Sequence, residues 1–251
     1  MGVRSAFREL FRRERPQRRR SYAGARVSRL TADWVTSGTS ADSEIKSSYK
    51  MLRNRARQLC RDNDYAKQAL RSITNNVIGH GIYHQSQVRM QRGGRMDEAT
   101  NARIHQAWTR WSHKTRCEVS GLLSFYDMER LLCRSLAESG EVFIRIIRRP
   151  FGDSGIPFAL QVLEADYLVD DDVQAAKDGR TVRMGIERDE YLRPIAYNFY
   201  ANHPGDVYAG NVRTTRRIRV DADDVIHLFI PERPSQTRGV TWFASALQRL
   251  H

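Results

Sequence analysis

The apolar residues of this 251-residue chain repeat at helical spacing up to Gly140 and at strand spacing after it. That switch constrains the fold more than any other feature. A period of 3.6 buries one face of a helix, and a period of two buries one face of a strand. Ahead of the switch, Tyr49, Leu52, Ala56 and Leu59 mark a first helix running from Ser43 to the "RDNDY" stretch, with Glu44 in its first turn. Ala66, Ala69, Leu70, Ile73 and Val77 share the face of a second, with Asp64 as the expected N-cap and Gly79 and Gly81 as its stop. A third spans Asp97 to Lys114, capped by Asp97, with Ile104, Trp108 and Trp111 on one face. A fourth is capped by Ser124, carries Phe125, Met128, Leu132 and Leu136, and is closed by Gly140.

Past Gly140, Val142, Ile144 and Ile146 alternate with Phe143, Arg145 and Ile147. "FALQVLEADYLV", "TVRMGIERD", "RPIAYNFY", "RRIRV" and "DVIHLF" read as further short strands, and "IYHQSQV" as an earlier one. Turns are expected at "FGDSGIP", "KDG", "RDEY" and "HPGD". Helices followed by an antiparallel sheet make an α+β fold. The expected divisions are a basic flexible leader over 1–42, a helical part over 43–140, a β-rich part over 141–232, and a connector with the start of a helix over 233–251. In that last part Thr241 is the expected N-cap, with Phe243, Ala246, Leu247 and Leu250 on one face. So short a helix is marginal unless it packs or continues. The segment therefore reads as the beginning of a longer helix, and the chain as an N-terminal portion.

Charge is concentrated at one end. The net charge is +13, yet residues 1–30 hold ten arginines against Glu9 and Glu14, a balance of +8 that leaves +5 for the other 221 residues. A basic arm on a mildly basic body points to polyanion contact through the arm, with Arg12, Arg13, Arg15, Arg18, Arg19 and Arg20 as the contact residues. "FRELFRRERPQRRR" could form a short basic helix there. No apolar run approaches the roughly 18 residues of a membrane span, so no membrane partner is expected. Cys60, Cys117 and Cys133 are an odd number without a C-x-x-C and read as buried thiols.

Catalytic patterns are weak. His80 and His84 have zinc spacing, but Gly79 and Gly81 interrupt the helix that would align them. His113 and Cys117 lack a second ligand pair. Acidic clusters at Asp170–Asp172 and at Asp221, Asp223 and Asp224, with Glu164 and Asp166 at a strand end, could hold Mg²⁺ for phosphodiester hydrolysis. The lysine expected beside such acids is missing, and runs of Asp at strand ends are more often solvated turns. Neither a phosphate loop nor a nucleophile elbow occurs. No metal, cofactor or catalytic residue is assigned. Asn75 and Asn76 read as amides that satisfy the last carbonyls of a helix, and Trp108 and Trp111 as core or subunit-interface residues.

The order of the motifs is more specific than any of them singly. "RNRARQLCRDNDYAKQALRSITNNVIGHGI", "FYDMERLLCRSLAESGEVFIRI", "PFALQVLEADYLV", "GIERDEYLRPIAYNFY" and "VDADDVIHLFIPERPSQTRGVTWFASAL" follow one another. In this succession the chain resembles the lambda family of phage portal proteins from about residue 44 onward. The resemblance rests on Asn75, Asn76, Gly79 and Gly81, on Gly140 and Glu141, and on Arg233, Pro234, Gln236, Arg238, Gly239 and Trp242. Ser235 stands where the family usually has glycine, and Tyr191 and Leu192 replace a glycine-bearing turn.

The resemblance implies a wing-like portion of a ring subunit, usually one of twelve, at one vertex of the capsid. Double-stranded DNA would pass through the channel, with the terminase large subunit, the head-tail connector and capsid or scaffold proteins as further partners. The location implied is the virion, and the host cytoplasm during assembly. It implies a structural protein and no enzyme, since ATP hydrolysis belongs to the motor. A chain lacking the family's later stem and clip is not expected to close a functional ring alone. Two other readings stay open: a nucleic-acid-binding protein acting through its arginine-rich arm, and a metal-dependent nuclease.

Overall fold

The structure, a computed structural model, describes residues 22–91, 93–170, 174–175, 180–207 and 216–250. The chain divides into two compact units, Met1–Gly38 and Thr39–His251. Within the described part of the first unit, Ala23–Ala25 forms one 3₁₀ turn. Thr31 closes a second turn there, accepting from the Ser28 N–H at 2.9 Å and donating to the Arg26 carbonyl at 2.9 Å.

The second unit carries helices first and antiparallel strands after, an α+β fold. Its helices are α1 (Ala41–Lys46), α2 (Tyr49–Asp62), α3 (Asp64–Val77), α4 (Glu98–Trp111) and α5 (Phe125–Ser139). The strands β1 (Glu141–Ile147), β2 (Ala159–Glu164) and β8 (Val225–Phe229) form one sheet in the order β2-β1-β8. A second sheet runs β3-β4-β5-β6-β7, from Gln174–Ala175, Thr181–Arg183, Ile186–Arg188, Pro194–Tyr200 and Arg217–Asp221. A last turn of helix, α6, covers Leu247–Leu250.

Local chemistry accounts for most boundaries. Asp97 caps α4 by accepting from the Thr100 N–H. Ser124 and Asp127 complete a capping box on α5, and Gly140 ends that helix at φ 88°. The first helix is broken in two. Ser48 donates to the Glu44 carbonyl at 3.2 Å, and its N–H closes on Ile45, so Ser48 competes for the backbone that would have joined α1 to α2. Asn63, rather than Asp64, caps α3: its backbone is extended and its side chain accepts from the Ala66 N–H. On α3 the buried positions are Ala66, Leu70 and Thr74, and Ala69 and Val77 face outward.

Two strand assignments change. "IYHQSQV" pairs with no sheet: the Val88 N–H and C=O are taken by the Asn101 side chain at 2.8 and 3.0 Å, which leaves that stretch extended but unpaired. "TVRMGIERD" is a hairpin, not a strand. Met184 and Gly185 turn it with φ 47° and 86°, and Thr181 to Arg183 pair back onto Ile186 to Arg188. The turn expected at "KDG" lies outside the described residues.

The β2-β1-β8 sheet is the middle layer. Leu160 and Val162 of β2 pack with Trp108, Trp111, Phe125 and Met128 of the helices. The opposite face brings Phe143, Leu163 and Val225 against Ile186, Tyr197, Phe199 and Val220 of the second sheet. On the helical side, Ala56, Leu59, Cys60, Ala66, Leu70 and Ala137 form a further core with Phe243 and Leu247, so the closing segment packs on α2, α3 and α5. Thr241 orders this segment as a turn, accepting from the Phe243 N–H and donating to the Ala137 carbonyl, and regular helix begins only at Leu247. All three cysteines are buried thiols, and burial pushes Cys60 and Cys117 up to about 11.

Candidate functional site

Two glycines bring distant motifs together. A side chain at Gly140 would meet the Thr241 N at 2.5 Å and the Val240 O at 2.6 Å, and one at Gly239 would meet Glu141 Cβ at 2.8 Å. Backbone therefore lies on backbone where α5 passes into β1, and the neighbouring residue on each side of this crossing, Glu141 and Arg238, is fully buried.

Arg238 Nε donates to both Glu141 oxygens, at 2.8 and 3.0 Å, and Nη2 lies 2.5 Å from Oε1. The Gly239 N–H donates to Oε2 at 2.9 Å. His227, opposite Phe143 in the β1–β8 register, places Nε2 3.0 Å from the same oxygen. Its ring stacks between Phe143 and Phe229. The rest of the Arg238 guanidinium donates to the Met184 carbonyl at 3.2 Å and the Ala165 carbonyl at 3.1 Å, and lies 5.0 Å from the Tyr49 ring centroid. One side chain thus ties the β4–β5 turn, the end of β2, the start of β1 and helix α2.

Burial works against the Glu141 charge, but the Arg238 guanidinium and His227 overcome it and hold the carboxyl well below its ordinary range. Burial also outweighs the pull of Glu141 on His227, whose pKa lies below 6.5. Near neutral pH the ring is therefore uncharged and donates its Nε2–H to Glu141. Arg238 is the balancing cation. With its acceptor positions filled and no exposure, Glu141 has no capacity left for a substrate, and the arrangement serves to hold elements together.

A second line of ion pairs continues outward on α2. Arg53, also buried, donates to Asp166 at 2.8 Å with its other arm 3.8 Å from Glu141. Arg57, one turn on, reaches Asp166 at 2.7 Å, Glu164 at 3.0 Å and the Ser139 hydroxyl at 3.1 Å. Burial opposes the Asp166 charge, and the two arginines nevertheless hold its carboxyl below the ordinary range. Among the described residues Glu164, Asp166 and His203 bring ligand atoms within 4.8 Å of one another, but guanidinium groups already occupy both carboxylates. Asp224 and Asp221 are likewise paired with Arg148 and Arg219 at the ends of short strands, and Asp223 is exposed on the turn between them. Asp171 and Asp172 lie outside the described residues.

The remaining motif residues occupy separate places. Arg130 of α5 donates to the Gly79 carbonyl at 2.7 Å and to Asn75 Oδ1 at 2.8 Å, tying the end of α3 to α5. Asn76 donates to the Ser72 carbonyl at 2.8 Å, as expected of a C-terminal amide. A side chain at Gly81, φ 113°, would meet Tyr126 Cε1 at 3.2 Å. Gln236 folds the connector: its oxygen accepts from the Glu232 and Arg233 N–H groups, and its amide donates to the Arg238 carbonyl. Thr237 binds Asp42 through its N–H at 2.7 Å and its hydroxyl at 2.6 Å. Arg233 is half-exposed and pairs with Glu44 at 2.8 Å, Pro234 is exposed, and Trp242 is 40% exposed.

Arg12, Arg13, Arg15, Arg18, Arg19 and Arg20, with the basic helix expected around them, lie outside the described residues. The His84 and Trp108 rings lie 5.0 Å apart, tilted by 31°, and Cys117 donates to the Ser112 and Leu123 carbonyls. Trp111 is buried and donates to the Phe158 carbonyl at 3.0 Å, a core role. Among the described residues no helix is long and apolar enough to cross a membrane.

Sequence reasoning missed Arg53, Arg57, Asp42 and His227 as members of the junction. A signal existed for two of them. Arg53 falls between Tyr49 and Ala56 on the buried face of α2, and His227 shares the inward face of β8 with Val225.

Compared with known families, residues 27–251 match the model described as phage portal protein, lambda family. Among curated proteins, the "Probable portal protein" of Halomonas phage phiHAP-1 (isolate -/Gulf of Mexico/-/2001) is 35% identical over 242 residues. The alignment covers 95% of this chain and 46% of that protein, so the chain spans about half the length of the curated relative it matches.

Proposed function

This chain belongs to the lambda family of phage portal proteins, and on that premise we propose that it is a structural subunit of the ring at one capsid vertex. Double-stranded DNA is packaged and ejected through that ring, which is usually dodecameric in the family. The terminase large subunit docks on it during packaging, and the head-tail connector and capsid or scaffold proteins are its other neighbours. Residues 43–140 and 141–232 supply the helical and β-rich parts of a wing-like domain, and 233–251 the connector beyond it. Assembly takes place in the host cytoplasm, and the mature location is the portal vertex of the virion.

The observation that carries this reading is the fate of the ordered motifs. Gly140, Glu141, Gln236, Arg238 and Gly239 meet in a sealed junction that braces helices against two sheets. Such a device suits a subunit that bears load and performs no chemistry. The charge distribution supports it as well: a body at +5 leaves translocating DNA loosely held, since dense phosphate contacts would retard it. The arm, through Arg12, Arg13, Arg15, Arg18, Arg19 and Arg20, provides the polyanion contact. Blocking expression of this chain during infection tests the proposal. Heads assembled without it should hold no nuclease-protected DNA, and a normal yield of DNA-filled heads would refute it.

A further inference from the structure

Among the described residues three arginines are buried, Arg53, Arg188 and Arg238. Two of them are neutralised by carboxylates within the chain. Arg188, the last residue of β5, is 6% exposed, joins no ion pair among the described residues, and leaves Nε buried without a hydrogen-bond partner. Its cross-strand partner Thr181 has a buried, unpartnered hydroxyl as well. A buried cation in this condition is costly, and native proteins rarely leave one uncompensated.

The acceptors that could have served it are spent. Asp42 acts on Arg188 through space, but its oxygens accept from Thr237 and Arg183, and the Arg183 charge opposes that of Arg188. Asp189 accepts from the Tyr191 and Arg193 N–H groups of its own turn, at 2.9 and 2.8 Å. The Gln236 oxygen accepts from two N–H groups of the connector.

What Arg188 does border is a cleft of about 620 Å³ between the β5–β6 turn and the connector that follows β8. Leu192, Phe229, Pro231 and Pro234 line it with apolar surface, and Glu232, Arg233, Ser235 and Gln236 give it a polar share of about the same extent. We infer that this cleft receives an aspartate or glutamate side chain from another protein chain, with the Arg188 guanidinium as its anchor.

A carboxylate matches the guanidinium fork, and the burial of Arg188 at the cleft's edge strengthens such a pair over one in open water. The walls also suit the aliphatic stem of an acidic residue. A nucleic-acid backbone fits less well, because Glu232 would face the phosphates flanking the bound one. The inference stands on Arg188 and its cleft and does not depend on the ring reading.

The test uses the full chain and three probes: N-acetylglutamate N-methylamide, its glutamine analogue, and inorganic phosphate. The readout is the Arg188 Nε–Hε resonance in NMR, identified by its loss in Arg188→Met. The glutamate probe should shift this resonance saturably, and the glutamine analogue should not. Glu232→Gln should tighten the glutamate probe about two- to fivefold by removing a like charge. Arg188→Met should melt no lower than the parent, since it removes a buried cation that no ion pair among the described residues holds. Four results would overturn the inference: no saturable shift, an equal shift with the glutamine analogue, phosphate binding more than tenfold tighter than the glutamate probe, or an Arg188→Met melting point several degrees below the parent. The third would mark a phosphate site, and the last a structural arginine.

Discussion

Glu141→Gln is the substitution that most directly loads the junction. It keeps the volume of the side chain and removes its charge. Glu141 and Arg238 are both fully buried, and the carboxylate accepts from Arg238, Gly239 and His227 at 2.8 to 3.0 Å. With glutamine there, Arg238 becomes a buried guanidinium without its counter-ion, and the new amide points donors at donors. Removing one member of a buried pair costs about 3–5 kcal/mol. Total stability for a domain is about 5–15 kcal/mol, so this one change takes a large share. With a urea m-value of about 2 kcal/mol/M, the midpoint should fall by about 2 M at pH 7, followed by tryptophan fluorescence and circular dichroism. Arg233→Ala, which breaks the half-exposed pair with Glu44, is the control and should cost less than about 1 kcal/mol. The double variant Glu141→Gln/Arg238→Met should lose less than the sum of its singles by about 2 kcal/mol, because the second change removes the stranded charge. A loss below about 1 kcal/mol for Glu141→Gln, or strict additivity in the double variant, would refute the reasoning.

Gly239→Ala should prevent soluble folding or lower the melting point by about 6–12 °C or more, as about 3 kcal/mol or more of clash predicts; Gly79→Ala, whose new carbon would have only the Asn75 O at 3.7 Å, should cost about 1 kcal/mol. Stability should fall with acid in two stages. His227 sits below 6.5 in the fold, so its contribution is whole above that pH and declines beneath it; Glu141 and Asp166 sit below 4.5 and 3.8, so theirs is lost further down. Urea midpoints taken from pH 8 to pH 3 should show both stages, and His227→Gln should remove only the first. Replacing Arg12, Arg13, Arg15, Arg18, Arg19 and Arg20 with glutamine should reduce the salt slope of duplex DNA binding by up to about 5 while leaving the urea midpoint unchanged; an unaltered slope would place polyanion contact elsewhere.

Features that act over a few residues are legible in the sequence, and those that depend on distant neighbours are not. Asp97, Ser124 and Gly140 act on backbone within four residues, so residue type and position suffice to reveal their capping roles. The helix-to-strand switch is equally plain. Asn63 displaces Asp64 as a cap because one extended residue both closes α2 and opens α3, a choice that side-chain type alone does not settle. Met184 hides a hairpin, since a methionine at φ 47° carries no turn signature. The two departures from the family pattern have a physical reading of the same kind. Ser235 and Leu192 both adopt φ 66°, the backbone state that glycine enters without strain. The site is legible as a set of motif residues and illegible as a junction. Glu141 and Arg238 are 97 positions apart, and periodicity does not report which buried charges will meet. Arg188 escapes notice for the opposite reason: an arginine at a strand end reads as solvated until its burial is known.

The central claim is that this chain is a subunit of the portal vertex. Immunoelectron microscopy of phage particles, using an antibody raised against the folded unit Thr39–His251, tests it most directly. The account predicts label at a single vertex of each head, at the point where the tail joins. Label spread evenly over the shell, confined to the distal tail, or absent from purified particles would contradict it.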